Sequence, residues 1–192
     1  MKYKILALYG KGGAGKDTIL NWIVSNYSYM HEIISCTTRP PRSYEKEGIN
    51  YFFLNKEEFF NKVDNNEMLE STAFNGWYYG TPVSSLNKNA INIGVFNPTG
   101  VTELLEDERL DVLPIEIIAN DKIRINRMLE RDKSVNCKEV CRRFIVDEDD
   151  FFNLTFRDII FDNNSNRDEF HTIFNLPKVE EWVAEGRNEL NI

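Results

Sequence analysis

Near the start of the chain lies a stretch whose residue types and order suit the holding of a phosphate: Gly10-Lys11-Gly12-Gly13-Ala14-Gly15-Lys16-Asp17-Thr18. Glycines let successive backbone N–H groups curl around one anion, and the N-terminus of a following helix adds partial positive charge. Lys16 has the length to reach the outer phosphates of a nucleotide as a point charge. Gly10 through Thr18 is therefore the candidate ATP site. One position departs from the usual pattern. The residue after the lysine is commonly Ser or Thr, whose hydroxyl helps hold Mg²⁺; here it is Asp17, with Thr18 behind it. An acid in the first helical turn suits the dipole but repels phosphates unless a metal lies between them. Two readings stay open: Asp17 helps hold Mg²⁺, directly or through water, or Thr18 supplies the hydroxyl and Asp17 faces solvent.

A second set of anion donors follows. Arg39 and Arg42 sit three apart beside Pro40-Pro41, and Tyr51 adds a hydroxyl. Arginine offers fixed, bidentate donors to a phosphate dianion. The chain as a whole carries a formal net charge of -8, so it repels nucleic-acid backbones and no nucleic-acid partner is expected. Phosphates must be handled by a few local groups, and two clusters of donors suggest two anionic substrates.

The second stretch, Ser35-Cys-Thr-Thr-Arg39-Pro-Pro-Arg42-Ser-Tyr-Glu45-Lys-Glu-Gly48-Ile-Asn-Tyr51-Phe-Phe53, resembles the GMP-binding region of guanylate kinases at every position that family specifies. The similarity continues through Glu70 and Gly76-Trp-Tyr-Tyr79-Gly80-Thr81, and covers most of the chain from the glycine loop to about residue 164. The resemblance implies roles residue by residue. Arg39, Arg42, Tyr51 and Tyr79 would bind the GMP phosphate; Ser35, Glu70 and Thr81 would read the guanine. Guanine presents a ring N–H beside an exocyclic amine, two donors that one carboxylate accepts together, and adenine has no such pair. Arg131 and Arg143 resemble the arginines of the family's mobile lid and would swing onto the transferring phosphates; Asn163 falls where the family places an asparagine near the ATP base. For Arg124 and Arg127 the residues themselves suggest ordinary solvated helix charges.

The chain also departs from the family. Val95 and Asn97 stand where guanylate kinases carry acids, and Arg131-Asp-Lys stands in place of Arg-Gly in the lid. Asn97 still accepts a bond from the guanine amine; Val95 removes a carboxylate near the metal. The implied activity is ATP plus GMP, with dGMP, to ADP plus GDP, catalysed by Lys16, Arg39, Arg131 and Arg143 with Mg²⁺. Two alternatives stay beside it: a kinase of another deoxynucleoside monophosphate or of a ribose bisphosphate, and a catalytically inactive binding module of the same fold.

These residues need a scaffold, and its elements are legible. YKILALY (3–9) reads as a buried strand leading into the glycine loop, and ILNWIV continues with helical spacing. Strands are expected at 32–35, 50–54, 68–74, 91–96, 112–119 and 158–161, and a loop at 36–50. Helices are expected at 55–65, capped by Asn55 with Glu58 as box partner, and near 98–107, 121–132, 136–149 and 177–185. Alternation of strands and helices after a glycine loop predicts an α/β fold: a P-loop NTPase-type parallel sheet flanked by helices. The resemblance divides this single domain into a core of about 1–34, 83–125 and 149–192, an inserted NMP-binding segment of about 35–82, and a helical lid of about 126–148.

Composition is ordinary for a soluble protein, at 42% hydrophobic and 28% charged residues. Cys36, Cys137 and Cys141 are odd in number and lack framework spacing, which argues against a secreted disulfide scaffold. No apolar run approaches the roughly 20 residues that span a membrane. The expected setting is the cytoplasm, with no membrane partner.

Overall fold

The computed structural model describes residues 2–42, 45–74, 76–130, 137–152, 154, 156–164 and 167–192. The first strand, β1 (Tyr3–Tyr9), alternates its side chains between two faces and is buried on both. Leu6 and Leu8 point to one side, where they join Ile19, Leu20 and Ile23 of helix α1 (Lys16–Asn26). Ile5, Ala7 and Tyr9 point to the other, toward Val101 and Leu104 of a later helix. A strand buried on both faces needs apolar residues at nearly every position, which is why this segment reads as a continuous hydrophobic run. Each fully buried Leu or Ile contributes about 1.5–3 kcal/mol.

After α1 come the short strands β2 (Met30–Glu32), β3 (Cys36–Thr37) and β4 (Phe52–Phe53), then helix α2 (Lys56–Asp64). The Asn55 cap is present in full: its side chain accepts the Glu58 N–H, and the Glu58 carboxylate accepts the Asn55 N–H. Strands β5 (Met68–Phe74) and β6 (Trp77–Pro82) follow, then β7 (Ile91–Val95), α3 (Pro98–Glu106), β8 (Leu110–Ile118), α4 (Asp121–Glu130), α5 (Cys137–Asp150), β9 (Ile160–Asp162) and α6 (Pro177–Leu190).

The strands form two sheets. A five-stranded sheet has the order β2-β7-β1-β8-β9, with every pairing parallel. Helices α1 and α6 cover one face and α3 the other, as expected for an α/β fold. A four-stranded sheet, β4-β3-β6-β5, is inserted between β2 and β7. Its β3–β6 and β5–β6 pairs are antiparallel and its β3–β4 pair is parallel.

Three local expectations need correction. The segment 36–50 is not all loop, because Cys36 and Thr37 pair with β6 on one side and β4 on the other. The strand expected at 32–35 lies earlier, at Met30–Glu32, where it can pair with Ile91–Ile93. A 3₁₀ segment at Arg167–Asn175 was not anticipated, and α6 runs further than 185. No helix among the described residues is long and apolar enough to cross a membrane.

Candidate active site

The glycine loop links the end of β1 to α1, and its backbone explains its composition. Gly13 has φ 78° and Gly15, the N-cap of α1, has φ 100°, a left-handed region that favours glycine. A Cβ on Gly15 would also lie 2.4 Å from the side-chain nitrogen of Asn163. Lys16 opens α1, and its ammonium donates to the carbonyls of Gly10 at 2.7 Å and Lys11 at 3.3 Å. Asp17 and Thr18 are exposed in the first helical turn. Asn163, at the end of β9, is buried beneath the loop, and its amide donates to the Ala14 carbonyl at 2.7 Å. The Asn163 carbonyl in turn accepts from Arg127 at 3.0 Å.

The expectation that Arg124 and Arg127 are solvated helix charges is overturned. The Arg124 side chain is only 2% exposed, and Arg127 also bonds the Ala14 carbonyl at 3.2 Å. Both face inward from α4 because the carbonyls of the glycine loop turn outward there, and guanidinium groups supply the donors those carbonyls need.

On the four-stranded sheet, a register shift between Met68 and Glu70 sets Glu70 opposite Thr81. The Thr81 hydroxyl donates to the Glu70 carboxylate at 2.7 Å, and the Ser35 and Thr81 hydroxyls lie 3.2 Å apart. Burial pushes the Glu70 carboxyl up to about 7; the Thr81 hydrogen bond opposes this and the charge of Glu103 adds to it. Gly100 in α3 lets the helix approach this carboxylate, since a Cβ there would lie 3.1 Å from a Glu70 oxygen. Asn97 is the N-cap of α3 and accepts the Gly100 N–H at 2.6 Å, leaving a second lone pair on that oxygen.

Arg39 and Arg42 are organised by Glu45. Arg39 makes a bidentate pair with it at 2.9 and 2.8 Å, and the Arg42 N–H donates to the same carboxylate at 2.8 Å. These bonds hold the Glu45 carboxyl below the usual range. Arg39 also bonds Tyr79 and lies 5.7 Å over the ring of Tyr51. The Tyr51 and Tyr79 rings meet edge to face at 6.1 Å.

Both halves open into one cleft of ≈ 660 Å³. Its wall includes Lys16 from the loop, Ser35, Glu70 and Tyr79 from the inserted sheet, and Arg143 from α5. Arg143 is paired with Glu139 at 2.8 Å, and Arg142 bonds the same carboxylate, which is pushed down to about 2. Arg131 lies outside the described residues. Among the described residues there is no group of three or more His, Cys, Asp or Glu side chains fit to hold a metal alone. That does not conflict with Mg²⁺, which keeps several waters and takes one or two protein oxygens beside substrate phosphates. Exposed Asp17 and Thr18 at the start of α1 fit that limited role.

A glycine loop and a buried carboxylate thus share one cleft, and comparison with known proteins gives the family of the chain that builds it. The family model for guanylate kinase matches residues 2–174. The chain belongs to the guanylate kinase family. It is 36% identical over 137 residues to the guanylate kinase of Malacoplasma penetrans, covering 67% of this chain and 69% of that one. It is 32% identical over 165 residues to that of Mycoplasmoides gallisepticum, covering 76% and 85%. Some other curated guanylate kinases are matched over about half of their length or less. The crystal structure of guanylate kinase from Anaplasma phagocytophilum aligns with a TM-score of 0.66 over 96% of this chain and 87% of that one, at 23% identity, a likeness of fold.

Within this guanylate kinase family member, the sequence reading gave no part to Glu45, Glu103, Arg124 or Asp147. Glu45 stood inside the recognised motif, so a signal for it existed. Arg124 carried none, being one more cation on a charged helix. Glu103 and Asp147 looked like any other helix carboxylate.

Proposed function

We propose that this protein transfers the terminal phosphoryl group of ATP to GMP and dGMP, releasing ADP and the guanosine diphosphate. The observation that carries the reading is the shared cleft, lined by Lys16 of the glycine loop on one side and by Ser35 and the buried Glu70 on the other. Phosphoryl transfer needs two phosphates held in line and their charge offset, with no protein nucleophile. Gly10, Lys11, Gly12, Gly13, Ala14 and Gly15 hold the ATP phosphates through the loop, with Lys16 on the outer ones. Arg39, Arg42, Tyr51 and Tyr79 hold the acceptor phosphate. Ser35, Glu70, Thr81 and Asn97 read the guanine. Arg131 and Arg143 close over the transferring group, and Asn163 supports the ATP side.

Mg²⁺ bound to ATP would offset charge on the phosphates, with Asp17 or Thr18 as its protein contact. The residues about 35–82 act as the acceptor-binding segment and about 126–148 as the lid, and their closure excludes water that would otherwise hydrolyse ATP. The enzyme works on cytoplasmic metabolites, and we place it there.

ADP release measured with Mg·ATP and a panel of GMP, dGMP, AMP, CMP and UMP tests this. Turnover confined to GMP and dGMP supports it. Turnover with several deoxynucleotides shifts attention to Val95 and Asn97, and GMP binding without any turnover favours a binding module.

A further inference from the structure

Gly12 is held from both sides by one ion pair. Its N–H donates to Asp147 at 2.8 Å, and its carbonyl accepts from Arg124 Nε at 2.9 Å. Arg124 Nη2 donates to the same Asp147 oxygen at 2.6 Å, which closes a ring of three hydrogen bonds through a single loop residue. Arg124 comes from α4 and Asp147 from α5, so the ring joins the loop to two helices at once. The rest of the guanidinium is also engaged. Nη1 donates to Asp121 at 2.8 Å, and the group lies 4.8 Å over the Phe144 ring. Beside the ring, Lys11 pairs with Glu148. Gly12 and Asp147 line the large cleft, while Lys11 and Arg124 line a smaller one of ≈ 280 Å³. The ring therefore forms part of the wall between them.

The effect on the loop follows from peptide planarity. The Gly12 carbonyl shares a plane with the Gly13 N–H, and in a trans peptide the two point in opposite directions. Holding that carbonyl on Arg124 turns the Gly13 N–H to the other side of the loop. The Gly12 N–H shares a plane with the Lys11 carbonyl, which by the same rule faces away from Asp147; Lys16 and the Ala14 N–H meet it there, at 3.3 and 3.2 Å. Two adjacent glycines rotate their peptide planes at little cost, so an unclamped loop would sample several donor patterns. The ion pair selects one.

We propose that Arg124 and Asp147 are positioning residues of the phosphate loop, which orient the peptide units on either side of Gly12 for binding ATP phosphates and tie that orientation to the docking of α5. The proposal rests on the kinase reading only in naming the nucleotide.

Equilibrium titration with Mg·ADP tests the proposal without requiring turnover. GMP titration of the same samples is the control, and activity of the unaltered protein tests the kinase reading separately. Asp147→Ala and Arg124→Met should each weaken Mg·ADP binding by about ten-fold or more, the loss of hydrogen bonds to a charged group. GMP affinity should stay within about two-fold, because no contact to the inserted sheet is lost. Asp147→Asn keeps an acceptor of the same size and should fall between Asp147→Ala and the unaltered protein, which guards against the truncated variants failing to fold. Unchanged Mg·ADP affinity in Asp147→Asn and Asp147→Ala, with only thermal stability lowered, would reduce the pair to a structural brace and overturn the proposal. Tighter Mg·ADP binding would also overturn it, by showing that the carboxylate competes with phosphate.

Discussion

The hydroxyl of Thr81 donates to the carboxylate of Glu70 at 2.7 Å, at a position where Glu70 is 8% exposed. The bond favours the charged form, and burial disfavours it more strongly, leaving the carboxyl at about 7. The group proposed to read guanine is thus held partly protonated near neutral pH.

Acceptance of two guanine donors needs the carboxylate. The KM for GMP should therefore rise as pH falls through about 7, by roughly ten-fold per pH unit below it, while the KM for ATP stays nearly flat. The acceptor phosphate itself titrates near about 6. A break in the GMP profile near 6 with none near 7 would show that Glu70 is not the controlling group.

The same shift makes Glu70 a cost to stability when charged. Its folded value of about 7 lies above the ordinary 4.5, so between those values the folded state keeps a proton that the unfolded chain has released. The stability tied to the protonated form is complete below 4.5 and is lost as pH rises through 7. Glu70→Gln, a neutral mimic, should be more stable than the unaltered protein at pH 8, by up to about 3 kcal/mol, with the gain vanishing toward pH 4. It should also lose GMP turnover. Urea denaturation at the two pH values gives the comparison.

Arg42→Met should raise the KM for GMP by roughly ten- to a hundred-fold, the worth of a charged hydrogen bond, and leave ATP binding nearly intact. Glu45→Gln should act in the same direction, because it loosens Arg39 and Arg42 together. Equal losses for ATP and GMP in steady-state kinetics would count against the assignment.

Gly15→Ala should weaken ATP binding while GMP still binds. The φ of 100° strains any side chain, at about 1–3 kcal/mol, and the new methyl would press on the Asn163 amide. In an Asn163→Gly background, which already lacks the Asn163 bond to the Ala14 carbonyl, Gly15→Ala should cost less because the clash is gone. An equal cost in both backgrounds, read by nucleotide titration, would mean that the backbone strain accounts for the whole effect.

The sequence was most informative where function is local. The glycine loop is legible because its demands on φ fall on adjacent residues, and the Asn55–Glu58 cap because its partners are three apart. Legibility failed where a residue's part depends on distant chain. Cys36 and Thr37 form a strand only because Gly80 and Tyr79 on one side and Phe52 and Phe53 on the other pair with them. Arg124 resembles any helix cation until Asp147 and the Gly12 carbonyl, both remote in sequence, come beside it. The raised carboxyl of Glu70 comes from burial that no spacing announces.

Strands β2 and β7 lie side by side at the edge of the five-stranded sheet, and the whole four-stranded sheet leaves from one and returns to the other. The β1–β7 and β1–β8 registers lie wholly outside the insertion. Such a layout works as a cassette. On the proposed assignment, mutations between the two strands retune which acceptor is chosen while the part proposed to hold ATP is inherited unchanged. Among the bonds that tie the cassette to the rest of the fold is that from the Ser71 N–H to Glu103 on α3, and a lineage altering the cassette must keep it or supply a replacement.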